Sequence, residues 1–119
     1  MKRARWMVLV VVLLLCAAVA SAGENWGALA YSSSTGRYGY GYDYATKQEA
    51  VDAAEDRCGE DDCEAVVWFY NGCGAFAAGR GGTGWAVGDS KQAVQAKALR
   101  ECNKRGSNCQ IVGWACTSR

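Results

Sequence analysis

Hydrophobic and polar positions along this chain alternate with two different periods, and the switches between them mark its elements. The longest β-branched and aromatic run, Ala65 to Tyr70, ends at Asn71-Gly72, and a second apolar run follows from Cys73 to Ala78. Asn and Gly tolerate the positive φ angles of a tight turn, so the pattern predicts a central β-hairpin here. Upstream, Trp26 to Ser32 reads as a first strand, and Ser33-Ser34-Thr35-Gly36 as a turn of small polar residues ending in glycine. The second strand, Arg37 to Tyr44, sets Tyr38, Tyr40, Tyr42 and Tyr44 at a period of two, which in an extended strand sends all four to one face. The period then becomes helical. Thr46 is the N-cap, Glu49 stands where a capping box needs it, and Ala50, Ala53, Ala54 and Cys58 share a face before Gly59 ends the helix. Alanine on that face lets the helix lie very close to a sheet.

The same order returns later. Ser90 takes the place of Thr46, Lys91-Gln92 repeats Lys47-Gln48, and Cys102 repeats Cys58. Cys109 follows Cys102 much as Cys63 follows Cys58, and Trp114 lies beyond Cys109 as Trp68 lies beyond Cys63. Cys73-Gly74-Ala75-Phe76-Ala77 echoes Trp26-Gly27-Ala28-Leu29-Ala30, and Gly84-Trp85-Ala86-Val87-Gly88 occupies the second-strand slot. The chain is one strand-strand-helix-strand unit used twice, residues 23–72 and 73–119. Units this small do not bury a face alone, so the two are expected to share one core. The fold class is α+β: tandem repeats, antiparallel sheet with two helices, stapled by disulfides.

The N-terminus reads as an export signal. Met1-Lys2-Arg3-Ala4-Arg5 is basic, Trp6 to Val19 is apolar, and Ala20-Ser21-Ala22 offers small residues for cleavage, so residues 1–22 are expected to be removed. The apolar stretch is short for the roughly 20 residues of a membrane span, and Leu15 before Cys16 speaks against a lipoprotein. Residues 23–119 suit a single domain. Of seven cysteines, Cys16 leaves with the signal; Cys58, Cys63, Cys73, Cys102, Cys109 and Cys116 remain, an even set that argues for three disulfides in an exported domain. The repeat narrows the pairing to Cys58–Cys63, Cys102–Cys109 and Cys73–Cys116. With no histidine and cysteine spacings unlike a zinc knuckle, no metal or other cofactor is expected.

Composition removes most catalytic chemistry. Without histidine there is no Ser-His-Asp or Cys-His pair, and oxidised cysteines leave no thiolate. Carboxylates remain, densest at Glu60-Asp61-Asp62 with Glu64 beyond, in what reads as a solvated turn. Gly79-Arg80-Gly81-Gly82-Thr83-Gly84 matches G-x-G-x-x-G, but a strand-like run follows it instead of a helix, so it reads as a flexible hairpin loop. Charge divides at the join: ten acidic and three basic side chains from Gly23 to Gly72, two acidic and seven basic from Cys73 onward. Oppositely charged halves attract each other on packing, and the same dipole can steer a charged partner. The mature balance is acidic, which disfavours nucleic acid. The tyrosine stripe is either core or an exposed face for stacking sugars or a partner's surface. Trp26, Trp68, Trp85 and Trp114 recur with the repeat and read as core.

Three segments, Trp26-Gly27-Ala28-Leu29-Ala30-Tyr31-Ser32 with Thr35-Gly36, Val67 to Ala75, and Gly84-Trp85-Ala86, together resemble the family called domain of unknown function 4189. The resemblance covers nearly the whole mature chain. It implies a small exported bacterial protein with no agreed enzymatic activity and no catalytic motif to carry across. The expectation is therefore a non-enzymatic binding or interaction module, secreted or periplasmic, free of the membrane after cleavage. Its partner is a protein or glycan of the envelope or outside the cell, met through Tyr38, Tyr40, Tyr42 and Tyr44. The alternatives are an enzyme acting on cell-wall glycan through carboxylates such as Asp43 or Glu60, and an envelope protein with structural duties alone.

Overall fold

The computed structural model describes residues 25–118. The export signal, its cleavage point and Cys16 lie outside the described residues. Eight elements run in order: β1 (Trp26–Tyr31), β2 (Tyr38–Tyr44), α1 (Lys47–Cys58), β3 (Glu64–Tyr70), β4 (Cys73–Arg80), β5 (Gly82–Gly88), α2 (Lys91–Arg105) and β6 (Ser107–Cys116). Each half is strand, strand, helix, strand, as the repeat requires. The strands form two antiparallel three-stranded sheets, ordered β2-β1-β3 and β5-β4-β6.

Both helices start and stop where the local chemistry places them. Thr46 Oγ1 accepts a hydrogen bond from the Glu49 amide and Ser90 Oγ one from the Ala93 amide, both at 3.1 Å, satisfying N–H groups that a helix leaves open at its first turn. Gly59 closes α1 in the left-handed conformation, φ 77°.

Small residues set the spacing between layers. Ala28 and Ala30 of β1 meet Ala50, Ala54 and Cys58 of α1 in one cluster; Ala75 and Ala77 of β4 meet Val94, Ala98 and Cys102 of α2 in its counterpart. The opposite faces of the two sheets lie against each other through Leu29, Val67 and Phe69 on one side and Phe76 and Ala115 on the other. The shared interior is thus the space between the sheets, and the layers run helix, sheet, sheet, helix.

The central hairpin does not form. β3 pairs with β1 and β4 with β5 and β6, so at Asn71-Gly72 the chain passes from one sheet to the other. Asn71 takes the positive φ that its type tolerates, 52°. Its amide is held by the Asn25 carbonyl, while the Gly72 carbonyl accepts the Thr117 amide. The hydrogen-bond partners that β3 and β4 find elsewhere override the local turn signal.

The glycine-rich stretch also differs from a flexible loop. Gly79 pairs with Gly82 around a tight turn of Arg80 and Gly81, and the ladder continues through Thr83 and Gly84. A Cβ on Gly84 would lie 2.3 Å from both the Ala98 oxygen and the Cys102 nitrogen, so glycine there serves close approach of α2. The disulfides are Cys58–Cys63, Cys102–Cys109 and Cys73–Cys116, the pairing that the repeat suggests.

A candidate binding face along the edge of β2

Strand β2 carries glycine and tyrosine in alternation, and the two residue types divide its faces. Gly39 and Gly41 turn toward α1, where the Ala54 and Ala50 carbonyl oxygens leave little room for a side chain. Tyr38, Tyr40 and Tyr42 therefore project to the other side, exposed to 46%, 42% and 44%. They share a sheet face with Leu29, which pairs directly with Tyr40, but β2 is an edge strand and its side chains project past the rim of the sheet below. The Tyr38 ring lies over Gly113 of β6, where a Cβ would come within 2.8 Å of it. The Tyr40 and Tyr42 rings are parallel within 8°, centroids 6.3 Å apart. Among the described residues none of these three hydroxyls makes an internal hydrogen bond.

Tyr44 does not belong to this row. Asp43 has φ 65° and is an extra residue in the β1–β2 ladder, which shifts register between Trp26 and Ala28. A bulge of this kind moves every later side chain to the opposite face. Tyr44 accordingly packs with Trp26 against the α1 cluster. The Arg57 guanidinium donates to the Tyr40 carbonyl at 2.7 Å, and its second nitrogen lies 3.4 Å from the Tyr44 hydroxyl.

The row is a ridge with a shallow trough on either side. Arg57 lines one trough, together with Gly39. Trp114, Ala115, Cys116 and Ser118 line the other, which follows the outer edge of β6. Among the described residues that strand pairs only with β4. Because the Thr117 amide bonds the Gly72 carbonyl and Cys73 faces Cys116, the ladder alternation turns the N–H and C=O of Trp114 and Cys116 away from β4, toward the open edge.

The internal duplication builds a related face on the other flank. Trp85 pairs with Phe76 as Tyr40 pairs with Leu29, so Trp85 and Val87 stand where Tyr40 and Tyr42 stand. They border a groove along β3 with Val66 and Trp68. Lys47 sits over the Trp68 ring at 3.9 Å from its centroid, and Lys91 over Trp114 at 4.1 Å. Trp68, Trp85 and Trp114 are thus exposed and not core; Trp26 alone of the four is packed against a core cluster. The repeat itself carried the signal, because Trp85 fills the strand slot of an exposed tyrosine.

Three of the acidic residues, Asp62, Glu60 and Asp43, are engaged with neighbouring side chains or backbone. The Ser32 hydroxyl, completely buried, donates to Asp62 Oδ1 at 2.6 Å and accepts from the Thr35 amide at 3.2 Å. The Ser34 amide donates to the other Asp62 oxygen. The Ser32 and Ser34 hydrogen bonds hold the Asp62 carboxyl below its ordinary 3.8. Glu60 lies 3.4 Å from the Arg37 guanidinium. Asp43 accepts hydrogen bonds from both the amide and the hydroxyl of Ser118. Among the described residues no cluster of acidic and cysteine side chains is arranged to hold a metal ion.

The family model described as domain of unknown function DUF4189 matches residues 26–116. Among solved structures, the NMR structure of Rv1813c from Mycobacterium tuberculosis is similar: 28% identical, TM-score 0.55, with 78% of this chain and 75% of that chain covered. No curated protein matches the chain.

Proposed function

The chain belongs to the DUF4189 family, and we propose on that footing that it works outside the cytoplasm as a non-enzymatic binding module whose contact surface is the row Tyr38, Tyr40 and Tyr42. One observation carries the reading: three aromatic side chains stand exposed in line, with hydroxyls that make no hydrogen bond among the described residues. A surface tyrosine offers an apolar ring and a donor–acceptor hydroxyl together, which suits a half-wet contact with another molecule. Tyr44 is withdrawn from the surface, since its ring serves the α1 core.

Two further features support binding over catalysis. The sequence has no histidine, and its six described cysteines are joined in disulfides. Asp43 and Glu60, the carboxylates that a glycan-cleaving reading would use, are bound to Ser118 and Arg37. Disulfides of this density support an oxidising compartment. Among the described residues no helix is long and apolar enough to cross a membrane.

The test is a pull-down from envelope extract with the protein immobilised, beside a variant carrying Tyr38→Ala, Tyr40→Ala and Tyr42→Ala. A partner retained by the native protein and lost by the folded variant supports the reading. Retention by both moves the contact surface elsewhere, and turnover of cell-wall glycan by the native protein replaces binding with catalysis.

A further inference from the structure

We propose that the trough between the tyrosine row and the open edge of β6 receives an extended acidic peptide segment, which adds a strand to β6 and sets a carboxylate toward Lys91. This rests on the binding reading above and specifies the occupant.

The floor of the trough is backbone. Trp114 and Cys116 turn their N–H and C=O groups toward an edge that no strand among the described residues pairs with. Unpaired groups on a sheet edge are a template for an incoming extended chain, which takes main-chain hydrogen bonds from the edge and specificity from side-chain pockets. Here the walls supply those pockets: Tyr38, Tyr40 and Tyr42 on one side and Trp114 on the other. Tyrosine, tryptophan and arginine are the residue types that carry most binding energy at protein interfaces. The outer edge of β2, by contrast, is partly closed, because Arg57 bonds the Tyr40 carbonyl.

Charge selects the partner. The trough beside β6 is walled by Trp114 with Lys91 over its ring, and no Asp or Glu is among its lining residues; Arg57 lines the trough on the far side of the row. The carboxylate nearest in sequence, Asp43, is held by two hydrogen bonds from Ser118. The duplicated groove along β3 has the same cation, Lys47 over Trp68, and differs in its surroundings: Asp62 and Glu64 line the adjoining pocket on which Val66 and Trp85 also border. An acidic segment is therefore favoured in the trough beside β6, and one laid along β3 would run toward Asp62 and Glu64. A polysaccharide fits less well, since the polar groups on the floor of the trough are main-chain N–H and C=O spaced for a strand, and its side chains include no Asn, Gln, Asp or Glu.

The experiment selects random peptides displayed on phage against the disulfide-bonded protein at low salt, then measures affinity for the enriched synthetic peptides and for oligogalacturonate as an acidic glycan. The expected sequences alternate Asp or Glu with apolar residues. Affinity should fall about tenfold or more when the Debye length shrinks from ~30 to ~3 Å between 0.01 and 1 M salt. Tyr40→Ala and Tyr42→Ala should each weaken binding about tenfold or more. Lys91→Gln should weaken it while Lys91→Arg restores much of it, and Trp85→Ala should change nothing. The Trp114 and Cys116 amides should gain protection from hydrogen exchange in the complex, and a backbone-methylated peptide should fail to bind. Enriched peptides that are neutral or basic, contacts mapping to Trp85, unprotected Trp114 and Cys116 amides, or binding of oligogalacturonate alone would each overturn the acidic-strand proposal while leaving a binding module. Indifference of every ligand to the tyrosine substitutions would overturn the binding reading as well.

Discussion

Gly39 lies so close to Ala54 that a Cβ built on the glycine would stand 2.3 Å from the Ala54 carbonyl oxygen. What it would strike is helix backbone, which cannot swing aside as a side chain can. Gly39→Ala is therefore expected to cost about 1–3 kcal/mol through overpacking, read as a lower thermal midpoint. Gly84→Ala should cost a similar amount, since the same approach recurs at Ala98.

The disulfides should differ in worth. Cys73–Cys116 closes a separation of 43 residues and Cys58–Cys63 one of 5. On the chain-entropy account, losing the first costs about 4 kcal/mol and losing the second about 2 kcal/mol. Denaturant unfolding of the paired Cys→Ser variants checks the order; equal losses would argue against that account here.

Asp62 makes stability fall in acid. Its carboxyl is held below the ordinary 3.8, mainly by the Ser32 and Ser34 hydrogen bonds. A group whose folded pKa is depressed stabilises fully above its unfolded pKa and loses that contribution as pH drops through the folded value. The advantage of the native protein over Asp62→Asn should thus be full at neutral pH and shrink progressively below 3.8. A gap in thermal midpoint that stays constant over that range would contradict the assignment.

Asp43 fastens the end of the chain. Asp43→Ala removes both hydrogen bonds to Ser118 and leaves a non-glycine residue at positive φ. A loss of about 1–2 kcal/mol is expected, with the Ser118 amide exchanging faster than in the native protein. Asp43→Gly should lose the same protection with less harm to stability, because glycine accepts that backbone angle without strain.

What could be read from the sequence was mostly local or repeated. Thr46, Ser90 and Gly59 mark helix ends because their chemistry acts within a few residues, and the duplicated cysteines reduce fifteen pairings to one. The errors share a different cause. Asn71-Gly72 turns the chain as its composition suggests, but nothing local tells β3 that its partner is β1. Tyr44 left the stripe because one inserted residue, Asp43, reverses the alternation. The tryptophans recur with the repeat and so read as core, yet Trp85 lies on an edge strand and is exposed. Gly79 and Gly82 suggested mobility, whereas each makes room for backbone around Ser107 and Gly106.

Among the described residues every sulfur bridge stays within its own half: Cys58–Cys63 in the first, Cys73–Cys116 and Cys102–Cys109 in the second. The peptide link at Asn71-Gly72 is then the sole covalent hinge between them. A protease that nicks it would release two fragments on a non-reducing denaturing gel, although the native particle would migrate intact until detergent dissolved its seam.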